Sequence, residues 1–250
     1  MPILALAAQP TTALAAGPNF FAVPSLRQLL DRHPNLLVID ASSTRIEASL
    51  WTAPNTSAAK AVASAQGEAS CCLPVVVARV LAASGNRRIQ DLDAVAFCDG
   101  PGSVLGIRLA AASLRAWRAV RPVLASYSYA SLPLLAVAHP GETIVADARR
   151  DTWHTVRPDA PHTLLRLPTA DLQRETGAGA TFGTPENFRR WSTLPPDVMP
   201  RALPYSAAAL LAAAPDEAFF YDAPEPDVFQ TEAPVYATWT PRVHQSPAAR

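Results

Sequence analysis

The segment from Ala94 to Trp117 constrains the fold more tightly than any other part of the chain. It runs Ala94-Val95-Ala96-Phe97-Cys98, then Asp99-Gly100-Pro101-Gly102-Ser103, then Ile107, Ala110, Leu114 and Trp117 at helical spacing. A short unbroken apolar run closed by a glycine-proline turn reads as a strand buried on both faces. Such a strand needs layers above and below it, and the helix that follows supplies one, so the class is α/β. Gly100 and Gly102 allow backbone angles closed to other residues, Pro101 fixes the turn between them, and Ser103 is placed to cap the helix. Two readings of the turn stand. The plain one is a tight strand-to-helix connection. The sharper one is a phosphate cradle of free amides at the helix start, although the lysine of a P-loop is absent.

The flanking pattern extends the same theme. Residues 36–39, Leu-Leu-Val-Ile, lead into Asp40 as a buried strand, and Ile46, Ala48 and Leu50 alternate with polar neighbours as a second strand across the Ser42-Ser43-Thr44 turn. A third strand is predicted over 60–65. Leu73, Val76, Val77, Val80 and Leu81 recur at helical spacing up to Gly85. Beyond the glycine turn and its helix, a strand is predicted at 123–124 and a helix over 126–138, interrupted early by Pro133. The order β-β-β-α-β-α-β implies a mixed sheet, antiparallel first and parallel afterwards. A second unit begins at Glu142, with strands at 143–147 and 152–157 around Arg149-Arg150-Asp151. It continues with a helix near 170–175, a strand near Ala180, a helix near 185–191, an alanine-rich helix over 203–214 and a short strand at 219–221. Ahead of all this, Ser25 caps a short helix carrying Leu26, Leu29 and Leu30, which stops at His33-Pro34.

Composition excludes several classes. With 49% hydrophobic and 17% charged residues, the 250-residue chain is neither disordered nor a coiled coil. Its 21 basic and 21 acidic residues cancel, so it lacks the basic surplus of a free-standing nucleic-acid binder. No apolar run approaches the roughly 20 residues needed to span a bilayer. Prolines number 25, which predicts short elements and many turns. Cys71, Cys72 and Cys98 offer neither zinc spacing nor a disulfide framework, which fits a reducing, cytoplasmic setting. The alanine-rich start has no positive end and no sustained apolar run, so it reads as a poorly ordered extension and not as a signal peptide.

The stretch Asp99-Gly-Pro-Gly-Ser-Val-Leu-Gly-Ile-Arg108 resembles the Gly-Pro-Gly-Ser-Phe-Thr-Gly-Leu-Arg signature of the TsaB (YeaZ) family. Four further landmarks fall in family order: Leu37-Val-Ile-Asp-Ala-Ser42, Leu73-Pro74 followed by Asp91-Leu-Asp-Ala-Val-Ala96, Val145-Ala-Asp-Ala-Arg-Arg150, and Glu232-Ala-Pro-Val-Tyr236. The sequence departs from the family in Val104-Leu105, in Ala41, in Glu68-Ala69-Ser70 and in Asp151, where the family carries a hairpin glycine; it resembles a divergent member. The resemblance implies a two-lobed actin/sugar-kinase/chaperone-ATPase-like (ribonuclease H-like) fold with mixed sheets. Its expected divisions are an extension over 1–35, largely disordered or a short helix, an N-terminal ribonuclease H-like lobe over 36–140, and a smaller C-terminal lobe over 141–250.

It also implies a non-catalytic scaffold without a cofactor, pairing with the catalytic paralogue TsaD and the ATPase TsaE to form threonylcarbamoyladenosine in tRNA. RNA would then be reached only through the complex. The motif loops to watch are Asp40, Ser42, Gly100, Pro101, Gly102, Ser103, Gly106, Arg108, Asp147, Arg149 and Arg150, and the expected partner face carries Leu73, Val76, Val77, Val80 and Leu114. The first of these helices is apolar on both sides, with Val75, Ala78 and Ala82 on the other, so it must bury both, within the domain or against a partner. On the second helix, Arg108, Arg115 and Arg118 form either a solvated face or an acidic or RNA contact made in a complex.

Active members of the superfamily that the resemblance implies carry a glycine after the first-strand Asp, and TsaD-type catalysis needs a histidine pair for metal; against that pattern these residues speak for a silent site. No glycine follows Asp40 before Trp51, and the hairpin after Asp147 has none. The five histidines (33, 139, 154, 162 and 244) form no i, i+4 pair for a metal, and no Gly-x-Ser-x-Gly elbow occurs. Two rivals remain at this level: a nucleotide-binding ATPase or kinase-like enzyme using Asp40 and the Gly100–Ser103 loop, or a homodimer with a role outside tRNA.

Overall fold

The computed structural model describes residues 23–177 and 179–228. The disorder expected over much of 1–35, the 232–236 motif and His244 lie outside the described residues. Helix α1 (Leu26–Arg32) is closed by a reciprocal cap in which Ser25 Oγ accepts the Gln28 amide and Gln28 accepts the Ser25 amide. Its Leu26, Leu29 and Leu30 are fully buried, each contributing about 2 kcal/mol by burial. The folded body therefore begins ahead of residue 36.

Among the described residues, six strands form the first sheet. Strands β1 (Asn35–Asp40), β2 (Arg45–Thr52) and β3 (Ala61–Gln66) make an antiparallel meander, and helix α2 (Ala69–Ala83) follows. Next come β4 (Ala94–Gly100), α3 (Val104–Val120), β5 (Ala125–Ala130) and α4 (Ser131–Ala138), with β4 parallel to both β1 and β5. The expected switch from antiparallel to parallel pairing is what the structure has. The second sheet has the order β10-β9-β6-β7-β8, from β6 (Thr143–Asp147), β7 (Thr152–Val156), β8 (Leu165–Pro168), β9 (Phe182–Pro185) and β10 (Arg201–Leu203). Helix α5 (Thr169–Gly177) follows β8 and α6 (Ala207–Ala213) follows β10. The chain then returns to the first sheet, where β11 (Tyr221–Asp222) pairs antiparallel with β5. The 141–250 span thus contributes to both lobes.

Alternation along β1 and β4 splits the core. Leu37, Ile39, Val95 and Phe97 face α2 and α3, while Leu36, Val38, Ala96 and Cys98 face the layer holding α1, α4 and α6. Helix α4, with Leu132, Leu134 and Leu135 all buried, sits between β4 and β5 of one sheet and β6 and β7 of the other. A helix apolar all round has to be covered on every side, and its place between the sheets provides that.

Several expectations are corrected. The strand predicted at 123–124 lies at Ala125–Ala130, because Ser126-Tyr127-Ser128-Tyr129 alternates with period two; the helix predicted from 126 starts at Ser131, which puts Pro133 in its first turn. The helix predicted near 185–191 is instead strand β9 followed by loop, and the helix predicted from 203 starts at Ala207 behind Pro204 and the Ser206 cap. Strands β8 and β10 were not predicted. Leu73, Val76, Val77, Val80 and Leu114, expected at a partner face, are no more than 5% exposed and fill the chain's own core beneath α2 and α3. The apolar residues left on the outside of α2 are Cys71, Pro74, Val75, Ala78, Ala82 and Ala83, with Arg79 exposed among them. No helix among the described residues is long and apolar enough to cross a membrane.

Candidate functional site

The β1–β2 turn, the start of α3 and the β6–β7 turn converge on a cleft of about 330 Å³ between the lobes. Ser42, Gly102, Ser103, Gly106, Arg108, Asp147 and Arg149 line it, so most of the sequence-predicted loop residues come together. Asp40, Gly100 and Pro101 do not line it: all three are buried. Arg150 is exposed at the β6–β7 turn outside the lining.

Asp40 is held beneath the cleft floor, 2% exposed. Its Oδ1 accepts the Ser42 amide at 2.9 Å and the Ser42 hydroxyl at 2.6 Å; its Oδ2 accepts the hydroxyls of Tyr129 at 2.8 Å and Tyr205 at 2.7 Å. Four protein donors therefore saturate the carboxyl. Burial first, and then the adjacent Asp40, push both phenols well above their ordinary range, so they remain donors. Because Tyr205 follows β10, this cluster also ties the second unit to the first sheet. Glu47 makes a parallel tie, accepting from the Ser206 hydroxyl and the Ala208 amide, each at 2.8 Å, with Arg45 at 3.6 Å. Burial raises the Glu47 carboxyl, and the Ala208 and Ser206 bonds offset only part of that rise.

The glycines of the turn serve packing. A Cβ on Gly102 would stand 2.3 Å from the Ser42 carbonyl, and one on Gly106 would stand 2.1 Å from the Ala41 carbonyl. Both glycines thus let the start of α3 press against the β1–β2 turn. The Ser103 amide donates to the Ser42 carbonyl at 2.6 Å, and Ser103 Oγ accepts the Gly106 amide at 3.4 Å, a cap. Pro101 fixes the far side, its carbonyl accepting the Ser131 hydroxyl at 2.6 Å.

Across the cleft, Arg149, Arg150 and Asp151 all have positive φ, at 63°, 52° and 54°. Left-handed backbone costs about 1 kcal/mol or more for a residue with a Cβ, so Asp151→Gly is expected to stabilise the protein by about 1 kcal/mol, read as a higher denaturant midpoint. Asp147 holds this turn to the loop after β9: it accepts the amides of Arg149, Trp191 and Ser192. Burial pushes its carboxyl up, but the Ser192, Arg149 and Trp191 amides outweigh that and leave it below the ordinary range. The Arg149 guanidinium lies 4.4 Å from the centroid of the Trp191 ring.

Two of the three arginines along α3 are spent inside the chain. Arg115 and Arg118 donate to the carbonyls of Pro226 and Pro224, strapping the segment after β11 across the helix. Only Arg108 reaches the cleft. Sequence reading missed Tyr129, Tyr205, Glu47, Arg189 and Trp191. The alternation over 126–129 signals the strand that positions Tyr129, and Arg189-Arg190-Trp191 read as loop would have signalled a basic, aromatic rim.

Together, fold and site define a two-lobed α/β protein with two mixed sheets and a cleft between the lobes, its floor closed by the packed glycine turn and the Asp40 cluster. No protein-family model and no curated protein sequence matches the chain. Among solved structures, it is similar to an uncharacterised protein with similarity to peptidase YeaZ from Pseudomonas aeruginosa, at 19% identity and a TM-score of 0.51, covering 79% of this chain and 99% of that one. YeaZ from Pseudomonas aeruginosa aligns over 78% of this chain and 99% of its own at 18% identity and a TM-score of 0.49. At such identity, the first of these likenesses establishes a shared fold.

Proposed function

We propose that the chain is a divergent TsaB (YeaZ)-type subunit, a non-catalytic cytoplasmic scaffold that pairs with a TsaD-type catalytic subunit and a TsaE-type ATPase in forming threonylcarbamoyladenosine in tRNA. The motif order supports the family assignment, and the fold agrees with it. The observation that carries the scaffold role is the outside of α2. One side of this helix is buried in the core, while Cys71, Pro74, Val75, Ala78 and Ala82 leave a second, mainly apolar side in solvent, interrupted by the exposed Arg79, with Val75 43% exposed. The saturated Asp40 supports the absence of catalysis, since neither of its oxygens is left free to hold a metal.

Co-elution with the TsaD-type paralogue of the same organism tests the reading. The wild-type chain is expected to co-elute, and Val75→Glu or Ala78→Glu to weaken the pairing by more than about tenfold by stranding a charge in an apolar interface. Both positions are exposed, so the thermal melt of the free chain should hardly move. Absence of wild-type co-elution, or variants that pair as well as wild type, would sink the proposal. A self-dimer broken by Val75→Glu and indifferent to the paralogue would select the homodimer instead.

A further inference from the structure

The cleft mouth carries charge that neither the fold nor the docking face uses. Arg108 from α3, Arg149 from the β6–β7 turn and Arg189 from the loop after β9 line it, and Arg150 and Arg190 flank it in exposed positions. Against them stand Glu68 and Asp147 in the lining and the exposed Asp151 beside Arg150, and Asp147 is engaged by three backbone amides. A chain with no net charge thus concentrates cations at one rim. In the midst of them Trp191, backed by the Arg149 guanidinium, is 56% exposed. A large flat ring left in solvent among guanidinium groups is the arrangement on which bases stack while phosphates are neutralised alongside. The turn presenting Arg149 keeps three successive residues in left-handed backbone, a local cost held in place by Asp147.

We propose that this rim binds single-stranded nucleic acid, with a base on the open part of the Trp191 ring and Arg108, Arg149 and Arg189 on the flanking phosphates. The floor favours a strand lying across the mouth over a free nucleotide buried within it. Gly102 and Gly106 are closed against the Ser42 and Ala41 carbonyls, and Asp40 has no free lone pair for an incoming group. The exposed ring favours a base over an acidic peptide. This contact belongs to the chain alone and goes beyond the scaffold reading, in which RNA is reached through partners.

Fluorescence anisotropy of a dye-labelled oligouridylate of about 12 nucleotides, titrated with the full chain at about 50 mM salt, tests it. Binding is expected to weaken as salt rises, with a slope reporting about two or three phosphates. Trp191→Leu should weaken it about tenfold. Arg189→Glu, at another exposed position, should do the same and lower the salt slope by about one, which keeps the test decisive if the tryptophan variant folds poorly. No binding, binding unchanged in both variants, equal affinity for an oligoglutamate of matched charge, or full displacement by equimolar ATP would each overturn the proposal. Because no partner is present, a failure here leaves the co-elution result standing, and the reverse also holds.

Discussion

Replacing Asp40 by alanine is expected to destabilise the protein by about 3–5 kcal/mol, since each buried donor left without an acceptor costs about 1–3 kcal/mol. Three hydroxyls and one amide converge on that carboxyl: those of Tyr129 and Tyr205 on one oxygen, and both donors of Ser42 on the other. With the site 2% exposed, water cannot take over, and the truncation also opens a small cavity. Asp40→Asn should fall between alanine and wild type, because its amide nitrogen faces donors from at least one side. Tyr205→Phe, which removes one donor and strands none, should cost only about 1 kcal/mol. Denaturant midpoints order the series. The same series separates the scaffold from its enzymatic rival. In an enzyme, Asp40→Asn would remove turnover and leave the fold intact, whereas here the loss is expected in stability. An Asp40→Ala protein as stable as wild type would show that the four bonds do not hold the lobes together.

The parts of this architecture that the sequence discloses are those specified locally. β1 and β4 are unbroken apolar runs ended by turns, and α3 has one apolar face behind a serine cap, so each could be placed without knowing its neighbours. The region from 126 to 138 was harder, because Ser-Tyr-Ser-Tyr carries a strand period inside a span whose apolar content also suits a helix. Tertiary pairing of β5 with β4 decided it. The expected partner face failed for a related reason. Periodicity shows that α2 has two apolar sides but not which one its own sheet covers, and the sheet took Leu73, Val76, Val77 and Val80. At the site, Asp40 was evident as a strand-end carboxylate, yet its role depends on Tyr129 and Tyr205, which lie 89 and 165 residues away. No local pattern reports contacts at that separation. The Trp191–Arg149 stack was hidden in the same way, between two turns brought together by Asp147.

Gly106→Ala should cost about 3 kcal/mol or more, against the sign that helix propensity alone would give. Alanine is favoured over glycine inside a helix by about 1 kcal/mol, and Gly106 lies within α3. The added methyl would sit 2.1 Å from the Ala41 carbonyl oxygen and 3.2 Å from its carbon, and a backbone carbonyl has no rotamer through which to retreat. Relief requires α3 to lift from the β1–β2 turn. That movement strains the bond from the Ser103 amide to the Ser42 carbonyl and unseats Ile107, Ala110 and Leu114 from the core. Gly141→Ala supplies the control: nothing lies within 4 Å of its added Cβ, and the lost freedom of the unfolded chain should make it neutral or slightly stabilising. If the two variants unfold at the same denaturant concentration, the close approach of helix and turn is not what these glycines provide, and the phosphate-cradle reading of the turn regains its force. If Gly106→Ala alone is destabilised, the glycine turn is a packing device, and the cleft owes its closed floor to it.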